Sequence, residues 1–77
     1  MSIKVLYFAS LKELLGRASD EIEVADVCTA GGVWHKANPN RPIPENTLVA
    51  VNMDYVDIHA PVKDGDEVAF FPPVTGG

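Results

Sequence analysis

The residues that promise chemistry stand at the end of the sequence, in Pro72-Pro73-Val74-Thr75-Gly76-Gly77. Six extended residues reach about 20 Å. The prolines stiffen the base of this arm and direct it away from the preceding strand. The two glycines remove every side chain from its tip, so the tip fits a narrow channel and its last carbonyl lies open on both sides. The chemistry available there is that of the terminal carboxylate. A carboxylate is a poor electrophile, because its charge repels nucleophiles and it lacks a leaving group. Adenylation supplies one, and exchange for sulfur then gives a thiocarboxylate, a soft nucleophile able to donate that sulfur. Gly77 is the candidate reactive residue, and Val74, Thr75 and Gly76 form the segment that threads. A Gly-Gly end by itself also fits a plain frayed terminus.

Other reactive side chains make weaker cases. Cys28 is the single cysteine; it has no internal disulfide partner and suits a reducing, cytoplasmic setting. With no base nearby in sequence it reads as a small apolar residue of the interior. His35 and His59 lack metal-ligand spacing with each other and with Cys28, so they read as solvated or capping groups. Asp54, Asp57, Asp64 and Asp66 lack the spacing of a calcium loop. Lys12 and Arg17 either pair with acids on a partner or line a wet helix face.

The arm must be presented by something folded. Ile3–Phe8 is rich in β-formers and predicts a first strand. Ser10-Leu-Lys-Glu13 matches a capping box at the head of a short helix. Leu11, Leu14 and Leu15 fall on one face of that helix, and Gly16 supplies a left-handed exit. Asp20–Val24 alternates charged and apolar residues, the pattern of a strand wetted on one side. Ala30, Val33, Trp34 and Ala37 have helical spacing behind a Thr29 cap. Gly31 and Gly32 each cost about 1 kcal/mol in a helix, which predicts a helix that starts late or is weakly held, pinned by a buried Trp34. Residues 38–46 hold three prolines and read as a stiff loop. Thr47–Asn52 predicts a central strand, Met53-Asp54 a turn, Tyr55–Ile58 a short strand, Asp64-Gly65 a turn and Glu67–Phe71 the last strand, which Pro72 stops. Strands at both ends with one main helix give an α+β roll. In a regular last strand Phe70 and Phe71 point to opposite faces. One belongs to the core. The other, with Phe8 and Val74, is either a bystander ring or part of a docking patch.

Bulk properties set the limits. With 77 residues the chain is one domain, too small to wall a deep pocket of its own. Its 11 acids against 6 bases give a net charge of −5, which a nucleic-acid backbone would repel. A basic partner surface would be attracted to it. No apolar run approaches about 20 residues, so no membrane span is expected, and the first residues lack the apolar core of a signal peptide.

Asp64-Gly-Asp-Glu-Val-Ala-Phe-Phe-Pro-Pro-Val-Thr-Gly-Gly77 resembles the C-terminal signature of the molybdopterin synthase small-subunit family. Ile3–Ala9 with Lys12–Gly16 is similar to that family's first strand and helix, and Leu48–Asn52 to its central strand. The resemblance implies a ubiquitin-like β-grasp fold over residues 1–71, a mixed sheet of four to five strands on one main helix, followed by a tail, residues 72–77. It implies that an ATP-consuming activating enzyme adenylates Gly77, which is then converted to a thiocarboxylate. The tail would next enter the large synthase subunit, where sulfur passes to a cyclic pyranopterin monophosphate and two transfers build the dithiolene. On this reading the chain binds no cofactor or metal and is no enzyme by itself. Phe8, Phe71, Pro72 and Pro73 are its candidate partner-binding residues. The sequence departs from the family at Gly31-Gly32, where aliphatics are usual, and in its proline-rich loop. A thiamine-type sulfur carrier shares the fold and tail but typically lacks the Phe-Phe-Pro-Pro-Val run. A ubiquitin-like binding module would dock through its sheet without using the carboxylate.

Overall fold

The computed structural model describes residues 2–25 and 28–73. The chain runs β1 (Ser2–Tyr7), α1 (Ser10–Leu15), β2 (Ser19–Glu23), β3 (Cys28–Thr29), α2 (Ala30–Ala37), β4 (Leu48–Val51), β5 (Asp54–Val56), β6 (Pro61–Val62) and β7 (Glu67–Phe71). Five strands form one sheet in the order β2-β1-β7-β4-β5, and β3 pairs with β6 apart from it. At the centre β1 and β7 run parallel, with Val5 beside Val68, while the other neighbours are antiparallel. This is the α+β, ubiquitin-like β-grasp arrangement expected from the sequence.

One face of the sheet is closed by α2. Ile3, Val5, Tyr7, Val49, Val68 and Phe70 meet Ala30, Val33 and Trp34, all of them buried. The Trp34 ring stands edge-on to Phe70 at 5.1 Å and to Tyr7 at 5.9 Å, and its indole N–H donates to the Arg41 carbonyl at 2.8 Å. Such geometry adds about 0.5–1.5 kcal/mol per ring pair beyond area burial.

The helix α2 corrects one expectation: it begins at Ala30 and includes both glycines. Thr29 caps it as expected, its Oγ1 accepting from the Gly32 N–H at 3.0 Å. The N–H groups of Ala30 and Gly31 donate to the carbonyls of Ala60 and Ile58 at 2.9 and 2.8 Å. A Cβ on Gly31 would stand 3.2 Å from the Ile58 carbonyl oxygen, and one on Gly32 would stand 3.3 Å from Thr29 Oγ1. The absent side chains let the loop close over the helix start, which satisfies donors that a helix otherwise leaves unpaired.

Other expectations shift. Ser10 is the first helical residue, not the cap. Ala9 holds the cap position at φ 52°, ψ −128°, with no side-chain cap bond. The Leu11 N–H donates to the Phe8 carbonyl across this corner, as in a type II′ turn, which normally places glycine there. The strand ends at Tyr7, so the chain turns at Ala9 and no capping box forms. Gly16 ends α1 in the left-handed region, as expected. Leu11 is buried and Leu15 packs against the core, but Leu14 is exposed. The β4–β5 turn is Asn52-Met53 rather than Met53-Asp54, and β5 stops at Val56.

Two polar networks tie the fold. Tyr7 Oη donates to Asp20 Oδ2 at 2.9 Å and accepts from Asn38 Nδ2 at 3.1 Å. Arg17 donates to Asp20, the Ala37 carbonyl and Asn38 Oδ1, and lies 5.2 Å from the centre of the Tyr7 ring. Arg17 is therefore spent inside the molecule, closing the C-terminal end of α2, rather than on a wet face. In the second network Asp66 accepts from Asn52 Nδ2 at 2.9 Å and from the Lys63 N–H at 2.8 Å. Among the described residues every buried side-chain polar atom has a partner, and no helix is long and apolar enough to cross a membrane.

Candidate functional site

Among the described residues no helix covers the second face of the sheet. The alternation that sends Val5, Tyr7, Val68 and Phe70 inward sends Leu6, Ala69 and Phe71 outward, and Phe8 continues that line just beyond β1. Phe8 remains 48% exposed, Tyr55 71% and Met53 89%. Phe71 sits among them half-buried, its ring 6.5 Å from Phe8 and 5.4 Å from Tyr55, both edge-on. Ala50 and Ala69 are register partners on β4 and β7, and their small side chains leave the floor low. The result is a hollow of about 320 Å³ walled by Leu6, Phe8, Met53, Tyr55, Phe71 and Glu67.

Local structure fixes both ends of the hollow. At one end the Ala9 corner turns the chain immediately after Phe8, whose N–H donates to the Phe70 carbonyl at 3.1 Å. At the other, Asn52 and Met53 both have positive φ, 51° and 73°, as in a type I′ hairpin turn. Asn52 is held on three sides. Its N–H donates to the Glu67 carbonyl at 2.8 Å, its Oδ1 accepts from the Glu67 N–H at 3.0 Å, and its Nδ2 donates to Asp66. These bonds hold the Asp66 carboxyl below the usual carboxylate range, Asn52 contributing most and the Lys63 N–H next. Glu67 is the carboxylate on the wall, with Lys4 Nζ 4.0 Å away, a loose and solvated pair.

The face leads straight into the tail. β7 ends at Phe71, Pro72 is half-buried and Pro73 exposed, and neither lies in a strand. Phe8 and Phe71 thus meet on the outer face, and Pro72 and Pro73 follow Phe71 in the chain. Val74, Thr75, Gly76 and Gly77 lie outside the described residues. Leu6, Met53 and Tyr55 belong to this face and escaped the sequence reading. The signal for them was β7 itself, where Val-Ala-Phe-Phe is apolar on both sides although a half-wetted strand should alternate.

Other candidates find no site. Cys28 is half-buried against the core, and burial pushes its thiol up, away from the reactive thiolate. His35 and His59 are exposed; the His59 backbone N–H donates to Asp57 Oδ1. Asp64 accepts from the Ser2 N–H at 2.7 Å. Among the described residues no three of His, Cys, Asp or Glu are grouped as metal ligands.

Comparisons with known proteins agree with this geometry. The molybdopterin synthase sulfur carrier subunit of Escherichia coli (strain K12) is 41% identical over 85 aligned positions, covering 97% of this chain and 99% of that one. The crystal structure of SAMP1 from Haloferax volcanii superposes with a TM-score of 0.83 at 24% identity, covering 100% of both chains. A chain from the complex of subunits 1 and 2 of molybdopterin-converting factor from Helicobacter pylori 26695 does so with a TM-score of 0.69 at 23% identity, again covering 100% of both. The model of the ThiS family matches residues 5–77. With a match of that extent and a full-length relative at that identity, the chain belongs to the ThiS family, together with the molybdopterin synthase sulfur carrier subunits.

Proposed function

We propose that this chain is the sulfur-carrying subunit of a molybdopterin synthase, with Gly77 as the group that carries the sulfur. The observation that supports this most is the continuity of the open aromatic face with the root of the tail at Phe71 and Pro72. A partner seated on the face holds the folded part as a handle, and the slender tail then reaches about 20 Å into that partner.

The chemistry balances on the carboxylate. An activating enzyme joins Gly77 to the adenylyl group of ATP and releases pyrophosphate. A sulfide-level sulfur donor attacks the acyl carbon and displaces AMP, so the terminal C–O⁻ becomes C–S⁻ with no change of oxidation state. In the large subunit the sulfur forms a C–S bond to a carbon of a cyclic pyranopterin monophosphate, and a C–O bond at that carbon breaks, its oxygen leaving with the phosphate or as water. Water then cleaves the acyl–sulfur bond and restores the carboxylate of Gly77 for a second round. Two rounds give a dithiolene. The catalytic side chains and the pterin pocket belong to the large subunit on this reading, and ATP is consumed by the activating enzyme. The alternative carrier, the Cys28 thiol, is disfavoured by its burial and raised pKa.

Incubation with a matching activating enzyme, ATP and a sulfur donor should exchange one oxygen for sulfur in the intact mass. Deleting Gly77 should abolish that exchange and leave the melting curve unchanged. An unmodified mass, or exchange that survives the deletion, would refute the carrier role.

A further inference from the structure

We infer that Met53 is an affinity-determining contact of the outer face, held at the rim in a strained backbone so that its side chain inserts into an apolar pocket of the large subunit. The inference rests on the docking reading above. Met53 is the most exposed large apolar residue among those described, and it lies on the wall of the hollow. Its φ of 73° is a conformation that L-residues avoid at a cost of about 1–2 kcal/mol. Asn-Gly would suit this two-residue turn far better. The turn does not drift to a relaxed shape, because three hydrogen bonds pin Asn52 to β7 and to Asp66. A residue that costs the fold strain and exposes apolar surface contributes nothing to the free domain. Strain of this kind collects where a surface works on something else.

Methionine suits that work. It is flexible and polarisable, and it adapts to more than one apolar pocket, as a carrier handed from one enzyme to another requires. The chemistry of the occupant follows from the wall. Around Met53 the hollow offers aromatic and aliphatic surface, with the Glu67 carboxylate at its edge and Asp54 next in sequence. The complementary partner presents an apolar cavity for Met53 flanked by basic side chains. The chain's net charge of −5 favours such an encounter.

The test pairs stability with affinity for the purified large subunit of the same synthase, by calorimetric titration and thermal melting. Met53→Gly should raise the melting temperature by about 4 °C and weaken binding about tenfold. Met53→Leu, which keeps the apolar side chain, should bind within about twofold of the unaltered chain. Should Met53→Gly bind as tightly as the unaltered chain, the contact role of Met53 is refuted while the docking face stands. If the unaltered chain does not bind the large subunit at all, the docking reading fails and this inference goes with it.

Discussion

The two faces of the central sheet are made from the same alternating strands yet are finished in opposite ways. The inner face meets α2, its rings interlock edge to edge, and the polar groups around it are paired down to the indole N–H of Trp34. The outer face keeps rings of the same kind open to solvent and borders them with backbone that avoids relaxed angles, at Ala9 and at Met53. Substituting the inner face should therefore cost stability, whereas substituting the outer face should cost association. A domain of this size has roughly 4–12 kcal/mol in hand, so the two kinds of loss are separable by experiment.

The contrast breaks most visibly at Trp34. Trp34→Ala removes the centre of the inner cluster and should cost about 3–5 kcal/mol, enough to populate unfolded chain at modest urea in a circular-dichroism titration. Phe71→Ala should cost only about 1 kcal/mol of folding, since its ring is half-buried. It should nevertheless weaken binding to the large subunit about thirtyfold, as a central aromatic anchor does; equal losses in both assays would erase the distinction between faces. Ala9→Gly relieves the corner after Phe8 and should raise stability by about 1 kcal/mol without loss of binding, read by melting and titration together.

The smallest effect concerns the pinned turn. The folded Asp66 carboxyl is held below the usual carboxylate range by Asn52 and the Lys63 N–H. A lowered folded pKa means that the unfolded chain takes up the proton first. The stabilisation is therefore present above about pH 4 and is lost as the pH falls through the folded value. Asp66→Asn should lower the melting temperature slightly at neutral pH, where the carboxylate contributes, and flatten the acid limb in melting curves taken from pH 7 to pH 3. An unaltered slope in the variant would show that other carboxylates set it.

Regular patterns made much of the fold legible. The strand runs, the Thr29 cap, the Gly16 exit and the burial of Trp34 all follow from local chemistry and hold in the structure. What stayed hidden depends on partners distant in sequence. Gly31 looks like a helix defect until the Ile58 carbonyl is seen 3.2 Å from where its Cβ would stand. Arg17 looks like a surface charge until Asp20 and the end of α2 close around it. Ala9 gives no turn signal at all, because its conformation is imposed by the length of β1 and by Phe8 pairing with Phe70. The outer face was half legible. Phe8 and Phe71 stood out as aromatics near the tail, whereas Met53 and Tyr55 arrive there only through the hairpin.

The parallel pairing of β1 with β7 has a consequence for synthesis. During synthesis β1 emerges well before its partner, and the five-stranded sheet cannot close until Glu67–Phe71 stands beside it. Pairing of such distant segments pays its loop-closure cost before the contacts form, which slows folding relative to a purely local topology. A polypeptide cut short before β7 lacks the middle of its sheet. Closure of the sheet is thus tied to the presence of the strand on which the tail is rooted.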